Sequence, residues 1–215
     1  METIEILKRL QNKIEVYWLA GNHDYHLLKL KNRAPHINYP FEFRETLELV
    51  EGGHTYRFMH GYEFEYGNEV GLIRPIMEML CHVMSDSGGK PKNDIWASLA
   101  HKFSDIQYSI FTGHEEGNLK IMVQSIGDSP EERLKDRVEG IEKAAHLKAG
   151  EKPGQMLIFG HTHHPFISRQ ENLVNTGSWV KNSPHGNTYV VLQEGRPRLY
   201  IFGGDEIKER KEFTR

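Results

Sequence analysis

Residues 14–24, Ile-Glu-Val-Tyr-Trp-Leu-Ala-Gly-Asn-His-Asp, carry the signal on which the reading of the fold turns. The apolar and aromatic run over 14–20 has the length and composition of a buried strand, and Gly21 stops it. Asn22, His23 and Asp24 follow the stop. Their side chains are therefore expected at the carboxyl end of a strand, where open α/β sheets place ligand sites. The same arrangement recurs twice. His54–Met59 (HTYRFM) reads as a strand that stops at His60-Gly61. Gln155–Phe159 (QMLIF) reads as a strand that stops at Gly160, with His161, Thr162, His163 and His164 beyond it. Extended spacing would put the His161 and His163 imidazoles on one side of the chain.

Around these stops the composition is that of an ordinary soluble domain, or one domain with an insertion: 215 residues, 27% charged and 38% hydrophobic. Lys+Arg 27 against Asp+Glu 30 leaves a net charge of −3, so the global basic field of a nucleic-acid binder is lacking and no dedicated nucleic-acid partner is expected. No apolar run approaches the ~20 residues that span a bilayer, so no transmembrane segment is expected. The first residues form a charged amphipathic stretch, and the single Cys81 has no partner for an internal disulfide. Both features suggest a cytoplasmic protein. Thirteen histidines are unusually many for this length, and several of them stand at the three strand stops.

Helical spacing of apolar residues predicts a helix over 3–12, and a meander of strands over 172–203 precedes a charged helix at about 205–213. The segment between Gly61 and Gly160 differs in character. Ile73, Met77, Leu80 and Met84, then Trp96, Leu99, Phe103, Ile106 and Ile110, recur at three-to-four spacing. Ser129-Pro130-Glu131-Glu132 is a capping box that opens a further helix through about His146. The expected organisation is a core of 1–67 and 151–215 interrupted by a helical cap insertion at 68–150, with 86–93 (DSGGKPKN) as its flexible joint.

Imidazoles and an amide oxygen brought together from separate strand tips suit a borderline divalent ion such as Zn²⁺, Mn²⁺ or Fe²⁺. Alone, Asn22-His23-Asp24 reads as a turn and His60-Gly61 carries no information. The weight lies in three such stops in order, each after a strand. His26, His36, His54 and His101 read as surface or helix-face residues, and Met77, Met79, Met84 and Trp96 as helix core. Arg74 is a candidate contact for a substrate phosphate, and His164 a residue that shapes the pocket.

Taken together, LAGNHD (19–24), MHG (59–61), LIFGHTHHP (157–165) and VNTGS (174–178) resemble the calcineurin-like metallophosphoesterase family. The resemblance implies an α/β fold, a four-layer αββα sandwich, and a centre of two divalent ions (Mn, Fe, Zn or Ni) that hydrolyses phosphate mono- or diesters through a metal-activated hydroxide. It also implies roles. Asn22, His60 and His161 would surround the second ion and His163 would bind the first. His23 would contact the phosphate and protonate the leaving oxygen, with Asp24 orienting it.

The family pattern opens with Asp-x-His and Gly-Asp-x-x-Asp, which supply most ligands of the first ion, and neither precedes Gly21. Gly127-Asp128 leads into the capping box rather than to another site residue, which leaves it a weak candidate for a displaced substitute, and Gly204-Asp205 is a plain helix start. The domain is therefore expected to be N-terminally incomplete, either because the chain starts at an internal Met or because it is a natural partial domain. The unmodified state of the retained motifs favours the first explanation. One tightly held ion is then expected rather than two, and uncovered sheet would favour a homo-oligomer. Two other readings remain: a non-catalytic scaffold on the same fold, and a small zinc module built on His161-Thr162-His163. The module leaves Asn22-His23-Asp24 without a role.

Overall fold

The first described element is helix α1 (Glu2–Gln11), and strand β1 (Tyr17–Leu19) follows it. The computed structural model of the chain describes residues 2–22, 24, 27–28, 41–64, 130–180 and 186–207. Strand β1 pairs in parallel with β2 (Glu42–Arg44), Trp18 opposite Phe43. The chain then passes within two residues into the hairpin of β3 (Thr46–Glu51) and β4 (His54–Met59), which turns at Gly52-Gly53. Both glycines have positive φ, 57° and 78°, a conformation that costs glycine little and other residues much.

Helix α2 (Pro130–Gly150) leads into β5 (Gln155–Phe159), β6 (Phe166–Ser168) and β7 (Leu173–Asn175). A last hairpin is formed by β8 (Thr188–Gln193) and β9 (Arg196–Ile201). The central sheet has the order β3-β4-β5-β7-β6, with β4, β5 and β7 parallel to one another. Strands β6 and β7 are buried at every position, as expected for a sheet covered on both faces.

Alternation along the strands supplies both cores. Leu157, Phe159 and Leu173 point to one face and pack with Ile141, Ala145 and Ala149, which recur every four residues along α2. Ile158, Val174, Ile167 and Tyr56 point to the other face, where Val190 and Leu192 of β8 meet them. The described residues thus form a mixed α/β structure with a helix on one face of the sheet and a hairpin on the other. Among them no helix is long and apolar enough to cross a membrane.

Helix α2 starts at Pro130, the first helical position that the capping box predicts, and extends to Gly150 rather than stopping near His146. It falls within the segment assigned to the cap, yet its later turns are built into the core. The strand expected over 14–20 is shorter, because Ile14 is exposed before the pairing with β2 begins. The helix expected at about 205–213 does not begin at Asp205: Glu206 bridges back to Tyr200, and the Ile207 amide donates to the Leu199 carbonyl at 2.7 Å. Residues 208–213, like the helices expected over 73–110, lie outside the described residues.

Leu173 is fully buried between α2 and the sheet. Leu173→Ala is expected to cost ~2–5 kcal/mol from lost burial plus the cavity left behind. Urea unfolding checks this, the midpoint falling while the slope stays unchanged.

Candidate metal centre

Because β4 and β5 run parallel, they finish at the same edge of the sheet. The pairing continues one step past both strands, the Gly160 amide donating to the His60 carbonyl at 2.9 Å. His60 and His161 therefore stand side by side, their ring centroids 5.1 Å apart and their planes at 60°. The tip of β1 reaches the same place from the other sheet. A Cβ built on Gly21 would overlap the His60 ring at Cδ2 and Nε2, so this approach requires glycine.

His161 and His163 do not reach their positions by extended spacing, contrary to the expectation. Both hold the left-handed conformation, with φ of 71° and 60°, and the Thr162 amide closes a tight turn onto the Gly160 carbonyl at 2.8 Å. Such backbone is uncommon outside glycine and costs roughly 1–3 kcal/mol per residue. Buried Asn175, at the end of β7, holds the turn. Its Nδ2 donates to Thr162 Oγ1 at 2.7 Å, and its Oδ1 accepts from the Gly177 amide at 2.9 Å. His60, His161 and His163 nevertheless line one cleft of about 330 Å³, together with Thr176 and Ser178.

Asp24 organises the loop after β1. The Trp18 indole donates to Oδ2, and the Gly21 amide donates to Oδ1 at 2.6 Å. The carboxylate thereby holds the turn that sets Gly21 against His60 and presents half-buried Asn22. His23 lies outside the described residues, as do Arg74, Asp128 and the methionines and tryptophan of 77–96.

The donor chemistry fits one divalent ion at His60 and His161. Among the described residues no group of three His, Cys, Asp or Glu side chains forms a cluster that could hold a metal. The third ligand expected at this ion is an amide, Asn22, one residue from the Gly21 contact.

Two carboxylates near the site were not singled out in the sequence. Half-buried Glu63 accepts the Gly61 amide at 2.8 Å. Burial pushes its carboxyl above the usual range, against the lowering effect of the backbone amides and of His161. Glu142 of α2 is almost wholly buried, with Oε1 3.7 Å from His164 Nδ1. It shares the inward stripe of Ala145 and Ala149, so helical periodicity carried that signal; nothing local marks Glu63.

Gly21→Ala should push the His60 ring aside and weaken divalent-ion binding by ~10–100-fold, the scale of losing support for a ligand. Titration with Mn²⁺ or Zn²⁺ measures this. In the metal-free chain, Glu63 holds its proton to higher pH when folded than when unfolded. The native state binds the extra proton, so stability falls as pH rises from 4.5 through the raised value. Glu63→Gln should abolish that part of the fall, seen as a flatter profile of melting temperature against pH.

Residues 2–165, more than half of the chain, match the family model of the calcineurin-like phosphoesterases. No curated protein matches the chain. The matched region takes in the tips of β1, β4 and β5 and the His161–His163 turn. The chain belongs to the calcineurin-like phosphoesterase family, whose members are in general metal-dependent hydrolases of phosphate esters.

Proposed function

We propose that this chain hydrolyses phosphate mono- or diesters in the cleft at the tips of β1, β4 and β5, using a divalent ion held by Asn22, His60 and His161. The observation that carries this reading is the His60–His161 pair at 5.1 Å with the Gly21 backbone pressed against it. When bound, divalent ions supply Lewis acidity toward phosphoryl oxygens and a nucleophile at neutral pH. An amide and two imidazoles bring no negative charge, so Asn22, His60 and His161 would leave the full charge of a bound ion to face the substrate. His163, in the same cleft, would be a ligand for a further ion, held less tightly than the one at Asn22, His60 and His161. His23, directly after Asn22, donates an imidazole N–H proton to the departing oxygen. Asp24 fixes the loop on which His23 stands, through Trp18 and Gly21. Mn²⁺, Fe²⁺, Zn²⁺ and Ni²⁺ all suit a donor set of imidazole and amide.

Glu142 of α2 stands against His164, next to the turn at the cleft. This places a buried carboxylate behind the turn that carries His161 and His163.

The test is hydrolysis of bis(p-nitrophenyl) phosphate and p-nitrophenyl phosphate with and without Mn²⁺. Weak, metal-dependent release of nitrophenol is expected, since one ion rather than two is held tightly. His23→Ala should lower turnover by ~10²–10⁴ with bound metal nearly unchanged, the loss typical of a missing general acid. His161→Ala should instead lose metal. Absence of metal-dependent turnover would favour a binding scaffold, and equal metal loss in both variants would make His23 a ligand rather than the acid.

A further inference from the structure

Parallel strands have two common ends, and the end opposite the histidines holds a second cleft, of about 440 Å³. It lies a six-residue strand away from His60, roughly 20 Å at ~3.3 Å per residue. Arg169, Arg196 and Arg198 line it together with His54 and Asn172, against the Glu206 carboxylate, and Glu194 is a second acid near Arg198. The chain as a whole carries −3, so this excess of positive charge is local.

The framework of the cleft is tied down. Arg196 and Arg198 share the outward face of β9, while the alternate residues Pro197 and Leu199 are buried and anchor the strand. Arg198 is bonded to the Tyr200 oxygen. Arg169 stands on a turn closed by the Asn172 amide onto the Arg169 carbonyl at 3.2 Å, with Asn172 at φ 51°. The β8–β9 turn docks on the β3–β4 turn. A Cβ on Gly195 would lie 2.6 Å from His54 Cδ2, and the Glu51 carboxylate accepts the Gly195 amide at 2.6 Å. Glu51, an acid at the edge of this framework, is thereby engaged by backbone.

Guanidinium forks match phosphate oxygens two bonds at a time. The volume exceeds what inorganic phosphate needs and falls in the range of small-molecule sites. Partly buried Met156 adds apolar lining for the body of such a molecule. A nucleic acid would need positive surface running on beyond the cleft, which a chain of net charge −3 does not favour.

We propose that this cleft binds a small phosphorylated molecule on the scale of a mononucleotide, at a site separate from the metal centre. The inference does not depend on the phosphoesterase reading.

Calorimetric titration of the full chain without added metal tests it, with adenosine 5′-monophosphate, adenosine, inorganic phosphate and a single-stranded oligonucleotide as probes. The monophosphate should bind at least ~10-fold more tightly than adenosine or phosphate alone, since charge-assisted bonds and apolar contact act together. Arg196→Ala and Arg198→Ala should each weaken it by ~10-fold or more, and His161→Ala should leave it unchanged. The arginines are exposed, so the variants should keep the wild-type melting temperature, and Arg196→Gln repeats the reading with a neutral side chain of similar length. Absent binding, affinity unaltered in the arginine variants, loss in His161→Ala, or tighter binding of the oligonucleotide would each overturn the proposal.

Discussion

The parallel pairing of β4 with β5 is the constraint from which both ends of the molecule follow. Arg57 sits opposite Leu157 and Phe58 opposite Ile158, so the two strands start together and stop together. Parallel neighbours cannot be joined by a tight turn. They need a crossover, and the segment that returns the chain from β4 to β5 includes α2, which covers one face of the sheet. The same pairing gathers His60 and His161 at one edge and the beginnings of both strands at the other. The helix layer, the histidine cleft and the arginine-lined cleft are thus three consequences of one register.

Positioning at the histidine edge depends on backbone as much as on side chains. Two left-handed histidines in three residues, near 60–70° in φ, are unfavourable by themselves. They persist because Asn175, buried at the end of β7, ties the Thr162 hydroxyl and the Gly177 amide into one network. The network continues through Thr188 Oγ1, which donates to the Thr176 carbonyl at 2.7 Å and so links the turn to the second sheet. On the other side of the cleft, Asp24 does comparable work for the β1 loop through Trp18 and the Gly21 amide. Each such bond contributes only ~0.5–1.5 kcal/mol net, but together they leave the strained turn no lower alternative.

What local sequence could show is what local physics decides. The strand stops at Gly21, Gly61 and Gly160 were legible from short apolar runs ending in glycine, and the start of α2 from a proline inside a capping box. Strands β2, β3 and β6 were not. Glu42–Arg44 and Phe166–Ser168 are only three residues long, and Thr46–Glu51 has one buried residue in six, too little for a periodicity to emerge. Glu142 shared the inward stripe of its helix, but that stripe could not name His164 as its neighbour, and nothing local linked Asn175 to Thr162, because both contacts cross between elements.

The sequence by itself therefore determined the chemistry on offer: an Asn-His-Asp loop, a His-Gly stop and a His-Thr-His turn, each at the end of a strand, in a chain with the motifs of a phosphoesterase family. Only the tertiary structure decided which of these groups meet. Residues some hundred positions apart are brought into register by strand pairing, a glycine leaves room for an imidazole, and a buried amide holds a turn in a conformation that spacing did not predict. Those outcomes depend on long-range packing, and no window of sequence contains both partners.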